Sequence, residues 1–384
     1  MKEVIILTPG PFLKRDYERF GIELLKKNFL IKILDITAWI NPRLWQEYSN
    51  KVFKCEEYIA VTSENSFLNS ISQINSPIVL DRLAINNKTN WMRKILRKKK
   101  SLFVYSNLNL IPESKKNILQ LFKILFIDLT SPIKLLNKVN EKLQKIKFNL
   151  MQSESDIFIT GGRSGLKSTK IKNRILAHSM DYDIYLSLKN KKKSDLPPYA
   201  VFLEDNMTQD SDYSILNILP PVNESQYFPT LIKFLKKFEA DTGLKVKIAI
   251  HPKSSKDFSN LLEDFECHKG NTAEIVKDAT LVLLHASTSV SYAILFNKPT
   301  LFLTSYELNK SWLGSRIDNF ARVINSKLIN MTSSINDTFK LDSFLNTDKE
   351  KYKNYIDQYL KMPNSLEIPL WDIFTKYISE NFKK

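Results

Sequence analysis

The chain has 384 residues, of which 43% are hydrophobic, and carries a formal net charge of +16. That length and apolar content suit two folded domains and exclude a disordered chain. The two cysteines, Cys55 and Cys267, exclude a disulfide framework or a thiolate zinc site. The charge fits an anionic partner but does not by itself choose among a nucleotide, a membrane surface, an acidic glycan and a nucleic acid. No window reaches the eighteen apolar residues of a membrane span. The opening "MKEVIILTPGPFLKRD" has too short an apolar run for a signal peptide and reads as a strand. The expectation is a cytoplasmic protein, with at most peripheral contact at the inner membrane face.

The elements alternate in the manner of a parallel α/β fold. "EVIILTPG" is a buried strand ended by Pro9-Gly10-Pro11. "YERFGIELLKKN" reads as one helix, and "LIKILDI" as the next strand. "EYIAVTS" and "SPIVLD" continue the pattern. Residues 90–150 are basic and helical, with "NWMRKILRKKK", "KKNILQLFKILFIDL" and "IKLLNKVNEKLQKI". "SDIFITGGRSG" restores a strand at Asp156–Thr160, followed by a glycine-rich loop. "KNRILAHSMDYD" reads as a strand running into a polar loop. The lysine run 189–193 with Pro197 and Pro198 marks a domain boundary near residue 195.

The second half is cleaner. "YAVFLED", "KVKIAI", "TLVLLH" and "TLFLTS" are strands. "SQYFPTLIKFLKKFEADTG" is a helix with Phe228, Leu231, Leu235 and Phe238 on one face and Gly243 as its stop. "GNTAEIVKDA" is a helix capped by Asn271 or Thr272. "STSVSYAILFN" is a helix that buries Val290, Ala293 and Ile294 and stops at Asn297 and Pro299. The predicted organisation is a first domain over 1–195, a second over 196–362, and a C-terminal helix in 363–384 that packs back on the first.

In open parallel sheets ligands bind outside the carboxyl ends of the strands. Three of the four histidines, His178, His251 and His285, fall just past predicted strands. Gly161, Gly162, Arg163, Ser164 and Gly165 share that edge, as do Glu204, Asp205 and Asn206 and the loop from Pro9 to Asp16. Ser287, Thr288 and Ser289 lie behind His285. One serine suffices to cap a helix; three consecutive hydroxyl residues also suit a phosphate, because small side chains let an anion reach unpaired backbone N–H groups. His251-Pro252-Lys253 adds an imidazole and a cation. An inverting transfer needs a group to take the acceptor proton, for which Asp16, His178, Asp181 and Asp205 are candidates. Asp210-Ser211-Asp212 has the spelling of a diphosphate-binding triplet but reads as a loop, and no metal is implied.

"IAIHPKS" followed by "LLHASTSVSYAILFNKP" resembles the His-Pro and Ser/Thr motifs of bacterial sialyltransferases and Kdo transferases. The wider pattern over residues 156–305 is similar to surface-carbohydrate biosynthesis proteins of bacterial polysaccharide loci, such as those for lipopolysaccharide and capsule. The resemblance implies a GT-B glycosyltransferase: two Rossmann-like domains facing each other across a cleft. It implies an inverting, metal-independent transfer from a CMP-linked sugar, sialic-acid-like or Kdo-like, onto an oligosaccharide or lipid-linked glycan acceptor, with no cofactor. It casts His251 as the phosphate contact and general acid. Glu204, Pro252, Lys253, His285, Ser287, Thr288 and Ser289 line the nucleotide and phosphate. Gly10, Gly161, Gly162, Arg163 and Ser164 fall on the acceptor side. The family's acidic motif ends in glycine; here Glu204-Asp205 is followed by Asn206, which puts its role as base in doubt. Rival readings are a UDP- or GDP-sugar transferase, a non-hydrolysing nucleotide-sugar epimerase, and a basic nucleic-acid or glycan-binding protein. The lysines sit in short separate runs and not on one aromatic-interleaved face, which argues against nucleic acid.

Overall fold

The computed structural model describes residues 1–84, 86–112, 155–168, 171–208, 213, 219–252, 254, 258 and 260–382. Most of the basic middle (113–154), Lys253 and the triplet 210–212 lie outside the described residues. The chain divides into two compact units. The first comprises Met1–Leu110, Lys116–Met180 and Lys361–Lys384; the second comprises Ile111–Lys115 and Asp181–Leu360. Residues 181–195, expected in the first domain, therefore belong to the second unit.

Among the described residues the first unit has seven strands: β1 (Lys2–Thr8), β2 (Phe29–Asp35), β3 (Tyr58–Ala60), β4 (Ile78–Asp81), β5 (Leu102–Asn107), β6 (Ile157–Thr160) and β7 (Asn173–Leu176). All pair in parallel, in the order β3-β2-β1-β4-β5-β6-β7. The continuous apolar runs follow from burial on both faces. Successive side chains of a strand point to opposite faces. Val4, Ile6, Ile31 and Ile33 accordingly enter one core, while Ile5, Leu7, Leu34 and Val79 enter another. The first core is covered by the C-terminal helix Leu370–Asn381, which contributes Leu370, Trp371, Phe374 and Ile378. The second is covered by Phe67 and Ile71 of the helix Glu64–Ile71 and by Met92 and Leu96 of the helix Asn87–Lys98.

The helix expected over "YERFGIELLKKN" is two. Gly21, at φ +53°, breaks it between Lys14–Arg19 and Ile22–Leu25. A Cβ there would meet Cδ1 of Trp371 at 2.5 Å, so the break is also where the C-terminal helix docks. The polar end of "KNRILAHSMDYD", read as a loop, opens the helix Met180–Leu188; Tyr182 and Leu188 are buried on the second unit's core.

Among the described residues the second unit has six parallel strands: β8 (Tyr199–Leu203), β9 (Lys245–Ile250), β10 (Glu266–Lys269), β11 (Leu281–Leu284), β12 (Thr300–Thr304) and β13 (Lys327–Asn330). Their order is β10-β9-β8-β11-β12-β13. The helix Glu224–Thr242 buries Phe228, Leu231, Leu235 and Phe238 as its periodicity predicts, and ends at Gly243. Asn297, at φ +52°, stops the helix Val290–Leu295. Strands β10 and β13 carry too little apolar signal to be read from sequence: Glu266, Cys267, Lys269, Lys327 and Leu328 are exposed. No helix among the described residues is long and apolar enough to cross a membrane.

Candidate active site

The strand order of the second unit reverses direction between β8 and β11. That switch point is where an open parallel sheet leaves a crevice for a ligand. The residues just past these two strands are Glu204-Asp205-Asn206 and His285 to Ser289. Neighbouring positions in sequence serve opposite strands. Glu204 is buried and turns toward β9, its Oε1 accepting from the Asn206 amide at 2.6 Å and its Oε2 from the His251 amide at 3.3 Å. Asp205 turns toward β11, and its Oδ2 accepts from the Ala286 amide at 3.0 Å. Ser287 also donates to it. Burial raises the Asp205 carboxyl to about 6, against these hydrogen bonds and the field of Arg316, which lower it. The result is a half-buried acid that titrates near neutrality at the switch point.

The hydroxyl cluster divides by role. Ser287 is buried, bonds Asp205, and takes the Ser289 amide on its Oγ at 3.3 Å. Thr288 is exposed and Ser289 half-buried; among the described residues neither hydroxyl carries a hydrogen bond. The Ser287 hydroxyl is thus spent on Asp205 and the Ser289 amide, the helix Val290–Leu295 has no side-chain cap, and two hydroxyls remain at the crevice. His251 is half-buried at the end of β9, with Pro252 exposed beside it.

His285 does not face the crevice. It is fully buried; its Nδ1 donates to the Leu303 carbonyl at 2.6 Å and its Nε2 accepts from the Tyr227 hydroxyl at 3.0 Å. Burial pulls the imidazole from 6.5 down to about 4. The phosphate-contact expectation for His285 is therefore corrected: it is a neutral clamp between β12 and the helix Glu224–Thr242. Unfolding lets it charge. Its contribution to stability is complete above pH 6.5 and is lost as pH falls toward 4, by about 3 kcal/mol in all. Asp205 acts in the opposite sense, since its raised carboxyl lets the fold keep a proton as pH climbs from 3.8 to about 6. The two offset each other in the wild type. Urea unfolding of Asp205→Asn at a series of pH values should show a stability loss of about 3 kcal/mol between pH 6.5 and 4 that the wild type largely lacks; equal slopes in both proteins would contradict this account.

The other base candidates are committed elsewhere. Asp181 accepts from the Ser291 hydroxyl at 2.6 Å and from the Tyr292 hydroxyl at 3.2 Å, tying the helix Met180–Leu188 to the helix that follows β11. His178 is fully buried in the first unit, with Nδ1 3.1 Å from the Ser179 carbonyl and Nε2 2.9 Å from that of Ile368. That ring fastens the end of β7 to the returning C-terminal segment and has no open face for an acceptor. Asp16 accepts the Leu13 amide at 3.1 Å and so holds the start of the helix Lys14–Arg19.

The acceptor-side loop has its own structural reasons. A Cβ at Gly161 would lie 2.9 Å from the Ser179 amide nitrogen, so the glycine permits close approach of the backbones at the ends of β6 and β7. Thr160 Oγ1 donates to the Gly162 carbonyl at 2.8 Å and closes the turn. Arg163 is exposed and Ser164 half-buried beyond it. Gly10 is half-buried with open space where a Cβ would stand. Sequence reasoning missed Arg316, in the first turn of the helix Gly314–Val323, whose buried Nε has no hydrogen-bond partner among the described residues. Its distance of more than 100 positions from Asp205 left no local signal.

No protein-family model matches the chain, and no curated protein matches its sequence. Its fold does have solved counterparts. The wall teichoic acid polymerase TagF superposes with a TM-score of 0.56 at 13% identity, covering 100% of this chain and 90% of that one. A histidine-to-alanine variant of TagF gives 0.57 at 11% identity, with 100% and 90% covered. MurG of Acinetobacter baumannii gives 0.47 at 8% identity, over 99% and 100%. At such identities the likeness shows the fold alone. The fold is that of the GT-B glycosyltransferases, with two parallel-sheet α/β units.

Proposed function

We propose that the protein is a glycosyltransferase of bacterial surface-glycan synthesis whose second unit binds a nucleotide-linked donor. The observation that carries this reading is the convergence of Asp205, Thr288 and Ser289 at the β8/β11 switch point. The Thr288 and Ser289 hydroxyls would donate to a donor phosphate, and Arg316 would supply positive field at the same edge. His251 is the further phosphate contact that the His-Pro motif suggests. Asp205, with its carboxyl near 6 before donor binds, would be pushed higher by an adjacent phosphate. It would then be protonated at neutral pH and act as the proton donor to the leaving phosphate oxygen. The acceptor hydroxyl attacks the anomeric carbon and gives up its proton to water as the new C–O bond forms, the bond from that carbon to the phosphate oxygen breaks, the nucleotide leaves with the proton from Asp205, and solvent returns a proton to the Asp205 carboxylate.

The donor we favour is a CMP-linked, sialic-acid-like or Kdo-like sugar, on the strength of the paired His-Pro and Ser/Thr motifs. A second reading takes a CDP-linked donor, because one TagF structure was soaked with CDPG. The acceptor is an oligosaccharide or lipid-linked glycan, and the enzyme works at the cytoplasmic membrane face. Thermal shift with CMP, CDP, UDP and GDP and their sugar conjugates tests the donor. A cytidine nucleotide should raise the melting temperature of the wild type. Thr288→Ala/Ser289→Ala should weaken its binding about 10- to 100-fold, the loss expected for hydrogen bonds to a charged group. Stabilisation by UDP or GDP alone would replace the donor class, and no response to any nucleotide would overturn the reading.

A further inference from the structure

Glu204 and Asp205 leave β8 in opposite directions, and the next residue shows why. Asn206 is buried and stands at φ +52°, in the left-handed region that glycine enters freely and that asparagine tolerates better than most side chains. That turn brings the Asn206 amide back onto Glu204 Oε1 at 2.6 Å. The other oxygen of the same carboxylate reaches across to the neighbouring strand. The last paired residues of β8 and β9 are Leu203 and Ala249. Just past them the Glu204 amide donates to the Ala249 carbonyl at 3.0 Å. The next donor on the β9 side is the His251 amide, and Glu204 Oε2 accepts it at 3.3 Å. The carboxylate thus ties the two chains together beyond the end of the paired strands.

His251 is held on both sides of its Cα. Its amide is taken by Glu204, and its carbonyl accepts the Ser254 amide at 2.9 Å. Ser254 is itself buried, and its carbonyl accepts Lys269 Nζ, from the end of β10, at 2.7 Å. Two fixed peptide groups give the half-buried His251 side chain one origin at the carboxyl edge of the sheet. Glu204 is only 4% exposed, and both of its oxygens are aimed at main-chain amides. A carboxylate turned instead toward a donor phosphate would repel it.

We propose that Glu204 is a positioning residue and not the nucleotide contact that the sequence motif implies: its carboxylate fastens the loop after β8 to the loop after β9 and so fixes where His251 stands. The use of the fixed imidazole as a phosphate contact rests on the donor reading above; the fastening itself does not.

The test uses the full chain labelled with nitrogen-15 at histidine alone. Four histidines give four amide signals, and His251→Gln assigns the one that matters. The informative variant is Glu204→Asp. Aspartate keeps the charge and can still accept the amide two residues on, but it is one methylene too short to reach the His251 amide as well. In the wild type the His251 amide should be protected from hydrogen exchange. In Glu204→Asp it should exchange about 10- to 100-fold faster, the loss expected for a hydrogen bond to a charged group. The His178 and His285 amides should keep their wild-type rates, which a general loss of stability would not allow. Glu204→Ala, which removes both acceptors, should expose the His251 amide at least as much. Asn206→Gly should leave it protected, because glycine enters the same region without strain. With the donor that stabilises the protein, Glu204→Asp should raise the donor KM about tenfold, as for one misplaced charge-assisted contact, with kcat little changed. An unprotected His251 amide in the wild type, or wild-type exchange in a folded Glu204→Asp, would overturn the fastening. A fall in kcat at unchanged KM would give Glu204 a direct part in the chemistry and overturn the positioning role. If the wild type binds no nucleotide, the donor reading falls, and the exchange rates alone still decide whether Glu204 holds His251.

Discussion

Replacing Asp205 with asparagine should lower turnover by about 10²- to 10⁴-fold, the range expected for loss of a positioned general acid, while donor binding changes little. Asparagine keeps an oxygen for the Ala286 amide, which sits 3.0 Å from Oδ2, so the strand-end geometry is retained and only the proton is lost. The pH profiles sharpen the test. In kcat/KM, which reports the free enzyme, activity should fall as pH rises through about 6, where the Asp205 carboxyl ionises. In kcat, which reports the donor-bound enzyme, the same limb should move to higher pH, because a bound phosphate disfavours the carboxylate. Measured with the donor that stabilises the protein, an asparagine variant of normal turnover would remove Asp205 from the chemistry. A kcat limb unmoved from the kcat/KM limb would remove it from the phosphate.

Arg93→Met should destabilise the first unit by about 3–5 kcal/mol, read as a lower urea midpoint for its unfolding. Arg93 Nε donates to Asp81 Oδ2 at 2.6 Å and Nη2 to Oδ1 at 3.3 Å, and both side chains are buried. Nη2 also donates to the Leu83 carbonyl at 2.6 Å. Truncation leaves the Asp81 carboxylate buried without its counter-charge and the carbonyl without its donor. Adding Asp81→Asn should recover part of the loss, since the stranded charge is then gone. Arg97 provides the contrast. It reaches Asp156 at 2.6 Å, but both side chains are more than a third exposed, and Arg97→Met should cost no more than about 1 kcal/mol. Equal losses at Arg93 and Arg97 would show that burial does not set the cost here.

Much of the fold was legible because a doubly covered parallel sheet demands continuous apolar runs. "EVIIL", "YAVFL", "LVLL" and "TLFL" each declared a strand without reference to the rest of the chain. The helix Glu224–Thr242 was legible for a similar reason, as its apolar face repeats at helical spacing and a glycine ends it. From those elements alone the carboxyl edge could be located, and with it Asp205, His251 and Ser287 to Ser289. Failures came where a side chain's role depends on direction. His285 and Ser287 are two residues apart at the same strand end, yet one turns into the core and the other toward Asp205. Histidine after an apolar strand has the same spelling in either case.

The sequence by itself therefore determined the two α/β sheets, the absence of a disulfide framework, and which strand ends carry polar chemistry. These are local properties: periodicity, apolar run length and residue type. Only the tertiary structure decided which of those polar groups are spent. Asp181 is consumed by Ser291 and Tyr292, and His178 by the carbonyls of Ser179 and Ile368. It alone revealed that the field of Arg316 acts on Asp205. The physical reason is that strand order, not chain order, sets which loops are neighbours. β8 lies beside β11, and β1 beside β4, across long stretches of intervening chain. A charge's partners, and hence its protonation and its use, are set by that adjacency.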